Sequence, residues 1–183
     1  AYVPLDEYSP TERLMNILNS TKLDVIMMDP VLYEKHKDLM NAASLNKIVL
    51  LGQSDIAPNE NVVTYNTILD IADRELPLLN QVSDDLAYIL HSSGSTGVPK
   101  GIMLTHRNAR TFVDWMEKEF KVNQYDVIMS RAPFKFDLSV FDIFNTFKAG
   151  AKLVCYDWNK KRDEENKHKD YVKLMEQQKA TII

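Results

Sequence analysis

The stretch Ser92-Ser93-Gly94-Ser95-Thr96-Gly97-Val98-Pro99-Lys100-Gly101 gathers three of the chain's five glycines, four hydroxyl side chains and a lysine. Each of these residue types has a use at a phosphate. Glycine lets backbone N–H groups turn toward a ligand and approach it closely. The hydroxyls of Ser92, Ser93, Ser95 and Thr96 can donate to phosphate oxygens, and Lys100 brings a positive charge to the far end. The same composition describes a Gly/Ser turn between two strands, and residue chemistry alone leaves both readings open. It is not a Walker loop. Gly101 follows Lys100 where that motif has Ser or Thr, and a strand rather than a helix is expected next.

The elements around this loop alternate short β-rich runs with amphipathic segments. Ser9-Pro10-Thr11-Glu12 reads as a helix start, with Ser9 as cap, Pro10 in the first turn and Glu12 at the capping-box position. Leu14, Ile17 and Leu18 follow at helical spacing. A helix is expected over residues 31–43, strands over 24–28, 47–51 and 62–65, and polar loops over 55–61 and 79–85. Strands over 86–91 and 101–105 bracket the loop 92–100, and a helix from His106 to Phe120 buries Ala109, Phe112, Val113 and Met116. Strands at 126–130 and 151–156 enclose a helix at 140–148, and a charged helix at 162–178 closes the chain. Such alternation predicts an α/β fold of mostly parallel sheets covered by helices, with a subdomain junction near residues 79–85.

Composition narrows the function classes. The chain has 183 residues, 45% hydrophobic and 26% charged, enough for an ordinary globular core. A net charge of −4 gives no electrostatic footprint for nucleic acid. No apolar stretch approaches membrane-spanning length, and the first residues carry no signal-peptide pattern. The single cysteine, Cys155, excludes an internal disulfide framework and fits a reducing, cytoplasmic compartment. It sits in an apolar run and is expected to be a small buried side chain, as are Trp115 and Trp158 to be buried at least in part. Neither end shows the polar fraying of a natural terminus, so an excerpt of a longer protein is expected.

The whole string Leu86–Gly101 closely resembles the phosphate-loop signature of adenylate-forming enzymes, which include nonribosomal peptide synthetase adenylation domains, acyl-CoA synthetases and firefly luciferase. The usual form has Thr at Ser92 and an aromatic residue at His91; Ser92 keeps the hydroxyl, and His91 reads as a packing variant. Two more matches come in the family's order. Ala1-Tyr2-Val3-Pro4-Leu5-Asp6 with Ser9-Pro10-Thr11-Glu12-Arg13-Leu14 resembles an upstream strand-to-helix motif. Phe136-Asp137-Leu138-Ser139-Val140-Phe141-Asp142-Ile143-Phe144, then Gly150-Ala151, resembles the downstream substrate-pocket motif. The run 132–139, with residues 111–115 upstream, is similar to free-standing ligases that load D-alanine or L-proline onto carrier proteins.

The resemblance implies that a carboxylate attacks the α-phosphate of ATP, giving an acyl-adenylate and pyrophosphate, before the acyl group passes to a thiol. Ser92, Ser93, Gly94, Ser95, Thr96, Gly97 and Lys100 would hold the β- and γ-phosphates, with Mg²⁺ accompanying ATP and no protein ligand assignable to it. Asp137 would pair with the α-ammonium of an amino acid, and Leu138 and Phe141 would line a narrow pocket; helix capping is the other reading of Asp137. His106, near the start of its helix, has a local role only. The acceptor would be a carrier protein's phosphopantetheine arm. By resemblance the chain is an incomplete N-terminal core domain without the C-terminal lid, its catalytic lysine, the ribose-binding aspartate or the Tyr-Gly-x-Thr-Glu segment, and no catalytic residue is assignable in it. An acyl- or aryl-CoA synthetase is the rival of the same superfamily, and a non-catalytic binding module is the rival of another class.

Overall fold

The computed structural model describes residues 1–70, 79–92, 99–158 and 163–182. The chain divides into two units, one of Leu5–Gln81 with His91–Gly101, the other of Ala1–Pro4, Val82–Leu90 and Ile102–Ile183.

The first unit is built on a parallel sheet. Helix α1 (Thr11–Thr21) buries Leu14, Ile17 and Leu18, one stripe at the spacing read from the sequence. Its start differs from the expectation for Ser9. Pro10 takes the cap place in an extended conformation (φ −54°, ψ 145°), so the helix begins one residue later and no side chain caps it. The helix ends on Lys22 in the left-handed region (φ 49°), whose N–H returns to the carbonyl of Leu18. Strand β1 (Val25–Met28) leads to α2 (Pro30–Lys35), where Asp29 accepts from the N–H of Val31 at 2.7 Å and Pro30 opens the helix. The single helix expected over 31–43 is two, because His36 leaves helical geometry (φ −113°, ψ 22°) between α2 and α3 (Lys37–Ala42). Strands β2 (Lys47–Leu50) and β3 (Val62–Val63) complete the order β1-β2-β3, with Ile26 opposite Ile48 and Ile48 opposite Val62. Those residues join Leu14, Leu18, Tyr33, Leu39, Met40 and Leu50 in one core. Each such aliphatic side chain contributes about 1.5–3 kcal/mol on burial. Helix α4 (Tyr65–Leu69) follows β3.

The second unit holds most of β4 (Leu86–Ser92), paired with β5 (Lys100–Thr105); residues 91–92 of the one and 100–101 of the other belong to the first unit. Tyr2 adds a parallel bridge to Tyr88: its N–H donates to Ala87 and its carbonyl accepts from Ile89, both at 3.0 Å. Helix α5 (His106–Phe120) starts on a reciprocal cap, in which Thr105 Oγ1 accepts from the Asn108 N–H and Asn108 Oδ1 accepts from the Thr105 N–H. Strand β6 (Val127–Ser130) pairs in parallel with β7 (Lys152–Cys155), and Ile182 bridges to Ile128. Between these strands runs a helical stretch of three parts: α6 (Leu138–Val140), a π-helical turn (Phe141–Asn145) and α7 (Thr146–Ala149). Helix α8 (Glu164–Gln178) is capped by Asp163, which accepts from the N–H of Asn166. Two cores serve the unit, one around Ala87, Tyr88, Leu90, Val113 and Val140, the other around Val122, Ile128 and Phe141.

Cys155 and Trp115 are more exposed than their surroundings in the sequence predict. Cys155 is exposed, because β7 is covered only in part along its length whereas β6 is almost wholly buried. Trp115 is 57% exposed: α5 turns only the Val113 side of this segment fully inward. Among the described residues no helix is long and apolar enough to cross a membrane.

Candidate functional site

The string read as a phosphate loop follows β4 in the sequence. Ser93, Gly94, Ser95, Thr96 and Gly97 lie outside the described residues, so only its two ends carry geometry. At one end Ser92 is exposed, and its carbonyl accepts a long bond from Arg13 Nη2 at 3.5 Å. At the other, Lys100 opens β5 with an exposed side chain. His91 is half-buried, and its Nδ1 is enclosed without a hydrogen-bond partner. Burial first, and the charge of Arg13 second, push its imidazole below the ordinary value, which favours a neutral ring beside the loop. His106 occupies the first position of α5, and its N–H donates to the carbonyl of Asp85 at 3.0 Å.

Asp137 sits at the start of α6, in the cap place, but it does not cap. Its backbone is already helical (φ −62°, ψ −29°), and its carboxylate accepts no capping bond. A capping residue normally stays extended so that its side chain can fold back over the first turn. Asp137 is exposed instead, between the exposed rings and chains of Phe136 and Leu138. Its charge is felt at Tyr88 on β4, whose phenol is raised by burial and then by this carboxylate. Phe141 lies deeper, packed in the core with Val122 and Ile128 and with its ring 5.3 Å from that of Phe120. The structure therefore presents Asp137 and Leu138 together on the surface and sets Phe141 beneath it.

The turn that carries Asp137 is held by a residue to which the sequence reading gave no role. Ser139 Oγ donates to the carbonyl of Phe136 at 2.7 Å and reaches that of Phe134 at 3.3 Å. Behind it, Asp142 is buried; desolvation raises its carboxyl, opposed by the hydroxyl of Ser130 and the N–H of Arg131. Asn145 and Thr146 are buried as well, and the Thr146 hydroxyl donates to the carbonyl of Asp142. The signal available in the sequence was polarity at positions 139, 142, 145 and 146 on a helix otherwise rich in apolar residues. Among the described residues no group of three or more His, Cys, Asp or Glu side chains is placed to hold a metal ion.

The chain is similar to known proteins over most of its length. The chain is 34% identical over 84% of its length to an L-proline–[L-prolyl-carrier protein] ligase of Pseudomonas fluorescens. It is 30% identical over 99% of its length to a D-alanine–D-alanyl carrier protein ligase of Bacillus velezensis. It spans 29% and 32% of those two relatives, so it corresponds to about a third of each. Its fold superposes with a TM-score of 0.74, at 25% identity, on the Vibrio cholerae adenylation domain AlmE in complex with glycyl-adenosine-5′-phosphate, over 98% of this chain and 34% of that one. The model of the AMP-binding enzyme family matches residues 1–183, and the chain belongs to that family.

Proposed function

We propose that the full-length gene product containing this chain activates an amino acid with ATP and loads it onto a carrier protein. In the first step a substrate carboxylate oxygen bonds to the α-phosphorus, the bond from that phosphorus to the β-phosphate bridging oxygen breaks, and pyrophosphate leaves. In the second, the phosphopantetheine thiol of the carrier attacks the acyl carbon and AMP departs. The observation that carries the amino-acid reading is Asp137, a carboxylate displayed on a fixed turn and not used as a helix cap. A displayed anion of this kind suits an ammonium group, and a fatty or aryl acid has none to offer. The names of the relatives, a prolyl and a D-alanyl carrier protein ligase, support a small amino acid.

Within this reading Ser92 and Lys100 flank the polyphosphate, and Ser93, Gly94, Ser95, Thr96 and Gly97 supply the loop between them. Their work is charge neutralisation where the leaving pyrophosphate gathers negative charge. Mg²⁺ would accompany ATP and supply positive charge to its phosphates; no residue of this chain is assigned to it. The test is ATP–pyrophosphate exchange by the full-length gene product with glycine, both alanine enantiomers, proline, and several aryl and fatty acids. Exchange with one small amino acid is the expected outcome. Exchange only with acids lacking an amino group would transfer the protein to the acyl-CoA synthetase reading.

A further inference from the structure

Ser139 is 2% exposed, and a hydroxyl so buried must find acceptors or lose the hydrogen bonds it had in water. It finds both of them in the loop that precedes Asp137: the carbonyl of Phe136 at 2.7 Å and, more weakly, that of Phe134 at 3.3 Å. The Ser139 N–H donates to the same Phe136 carbonyl at 3.2 Å, so one residue supplies two donors to one acceptor. That carbonyl belongs to the peptide plane shared by residues 136 and 137. Fixing this plane together with the next one, whose Asp137 carbonyl accepts from the Val140 N–H at 3.0 Å, fixes φ and ψ of Asp137 and so the direction in which its Cα–Cβ bond leaves the chain. The carboxylate has no cap bond of its own to aim it. Its orientation therefore depends on the backbone beneath.

The rest of the turn is tied in the same sense. The Phe136 N–H donates to Pro133 at 2.9 Å, and the Val140 N–H donates to the Asp137 carbonyl at 3.0 Å. Val140, 1% exposed, anchors the far side in the core with Leu90 and Val113. The loop is thus closed from below by Ser139 and left open above, where Phe136, Asp137 and Leu138 are exposed.

From this geometry we infer that Ser139 is a positioning residue for the substrate ammonium: through the Phe136 carbonyl it holds Asp137 where the amino group of the substrate meets it. The inference rests on the proposed function. Binding groups must be held to a fraction of an ångström, and the penalty for looseness falls on whichever ligand that group contacts. Loss of the hydroxyl should therefore weaken the amino acid and spare ATP.

The experiment compares Ser139→Ala, Ser139→Thr and Asp137→Ala in the full-length gene product, with ATP–pyrophosphate exchange read separately against amino acid and ATP. Ser139→Ala should raise the amino-acid KM about fivefold, the worth of one net hydrogen bond, with the KM for ATP unchanged. Ser139→Thr, which keeps the hydroxyl, should recover most of that loss. An unchanged amino-acid KM in Ser139→Ala, or an equal rise for ATP, overturns the inference, since a merely structural serine would lower the melting temperature and active fraction without selecting one substrate. Asp137→Ala separates the two levels. If it too leaves the amino-acid KM unchanged, the proposed function fails; if it alone raises that KM, only the role of Ser139 falls.

Discussion

Helix α5 and the helical stretch from residue 138 to 149 pack against each other, yet they are built on opposite plans. Helix α5 is fifteen residues of regular geometry, opened by the Thr105–Asn108 reciprocal cap and closed by Lys121 in the left-handed region. Its polar residues face outward, and Asp114 and Glu117 both meet Lys148 on the surface. The second stretch has no side-chain cap, passes through a π turn, and buries four polar side chains: Ser139, Asp142, Asn145 and Thr146. Val140, Phe141, Ile143, Phe144 and Thr146 are β-branched or aromatic, types that gain least from helical geometry. The Thr146 hydroxyl also bonds back to the carbonyl four residues earlier, a contact that bends helices. The difference separates two duties. A helix that only supports can keep regular geometry, while the one that displays Asp137 gives it up around buried polar side chains. Of these, Ser139 bonds the loop before Asp137, and the Asn145 amide has no partner.

That division predicts that substitutions in the two stretches fail in different assays. The largest effect belongs to Asp137→Ala, which should lower kcat/KM for the amino acid by roughly a hundredfold, as expected for a lost charge partner, while the melting temperature hardly moves. A melting temperature that falls with activity would make Asp137 a structural residue and dissolve the contrast. Thr105→Ala should do the reverse, costing about 1 kcal/mol of stability through the lost cap with both KM values unchanged; denaturant melts and exchange kinetics on the same sample decide. The smallest effect carries the opposite sign. Lys121 holds φ 53° without being glycine, so Lys121→Gly should stabilise by about 0.5 kcal/mol, the relief of left-handed strain less the lost charge at the helix end. A destabilised Lys121→Gly variant would mean that the lysine's charge outweighs its strain.

The same division explains what could be read in advance. The apolar faces of α1 and α5 and the parallel runs of β1, β2, β6 and β7 follow from periodicity, because burial of one face is what those elements do. Asp137 was legible as a candidate by family likeness, and its failure to cap became visible only with its helical φ and ψ. The cap at Thr105 was missed because Asn108 stands where Glu or Gln marks the usual pattern, its shorter side chain making the same return bond. Ser9 misled because Pro10, extended, moved the helix start beyond its reach. The split at His36 and the π turn have no composition signal; both arise where backbone bonds shift by one residue. Ser139 was in view as part of the Phe-Asp-x-Ser string, but its role depends on carbonyls that sequence does not place.

The bridge between Tyr2 and Tyr88 has a consequence for how this chain is made. The two rings lie 5.4 Å apart and the strands exchange two backbone bonds, yet everything from Leu5 to Gln81 is synthesised between them. At typical elongation rates of about 5–20 residues per second, Tyr2 waits on the order of ten seconds for its partner. During that wait the sheet β1-β2-β3 has all its strands and can collapse on its own. Its collapse would shorten the effective loop that the bridge must close, so the order of emergence from the ribosome lowers the entropic cost of the last pairing.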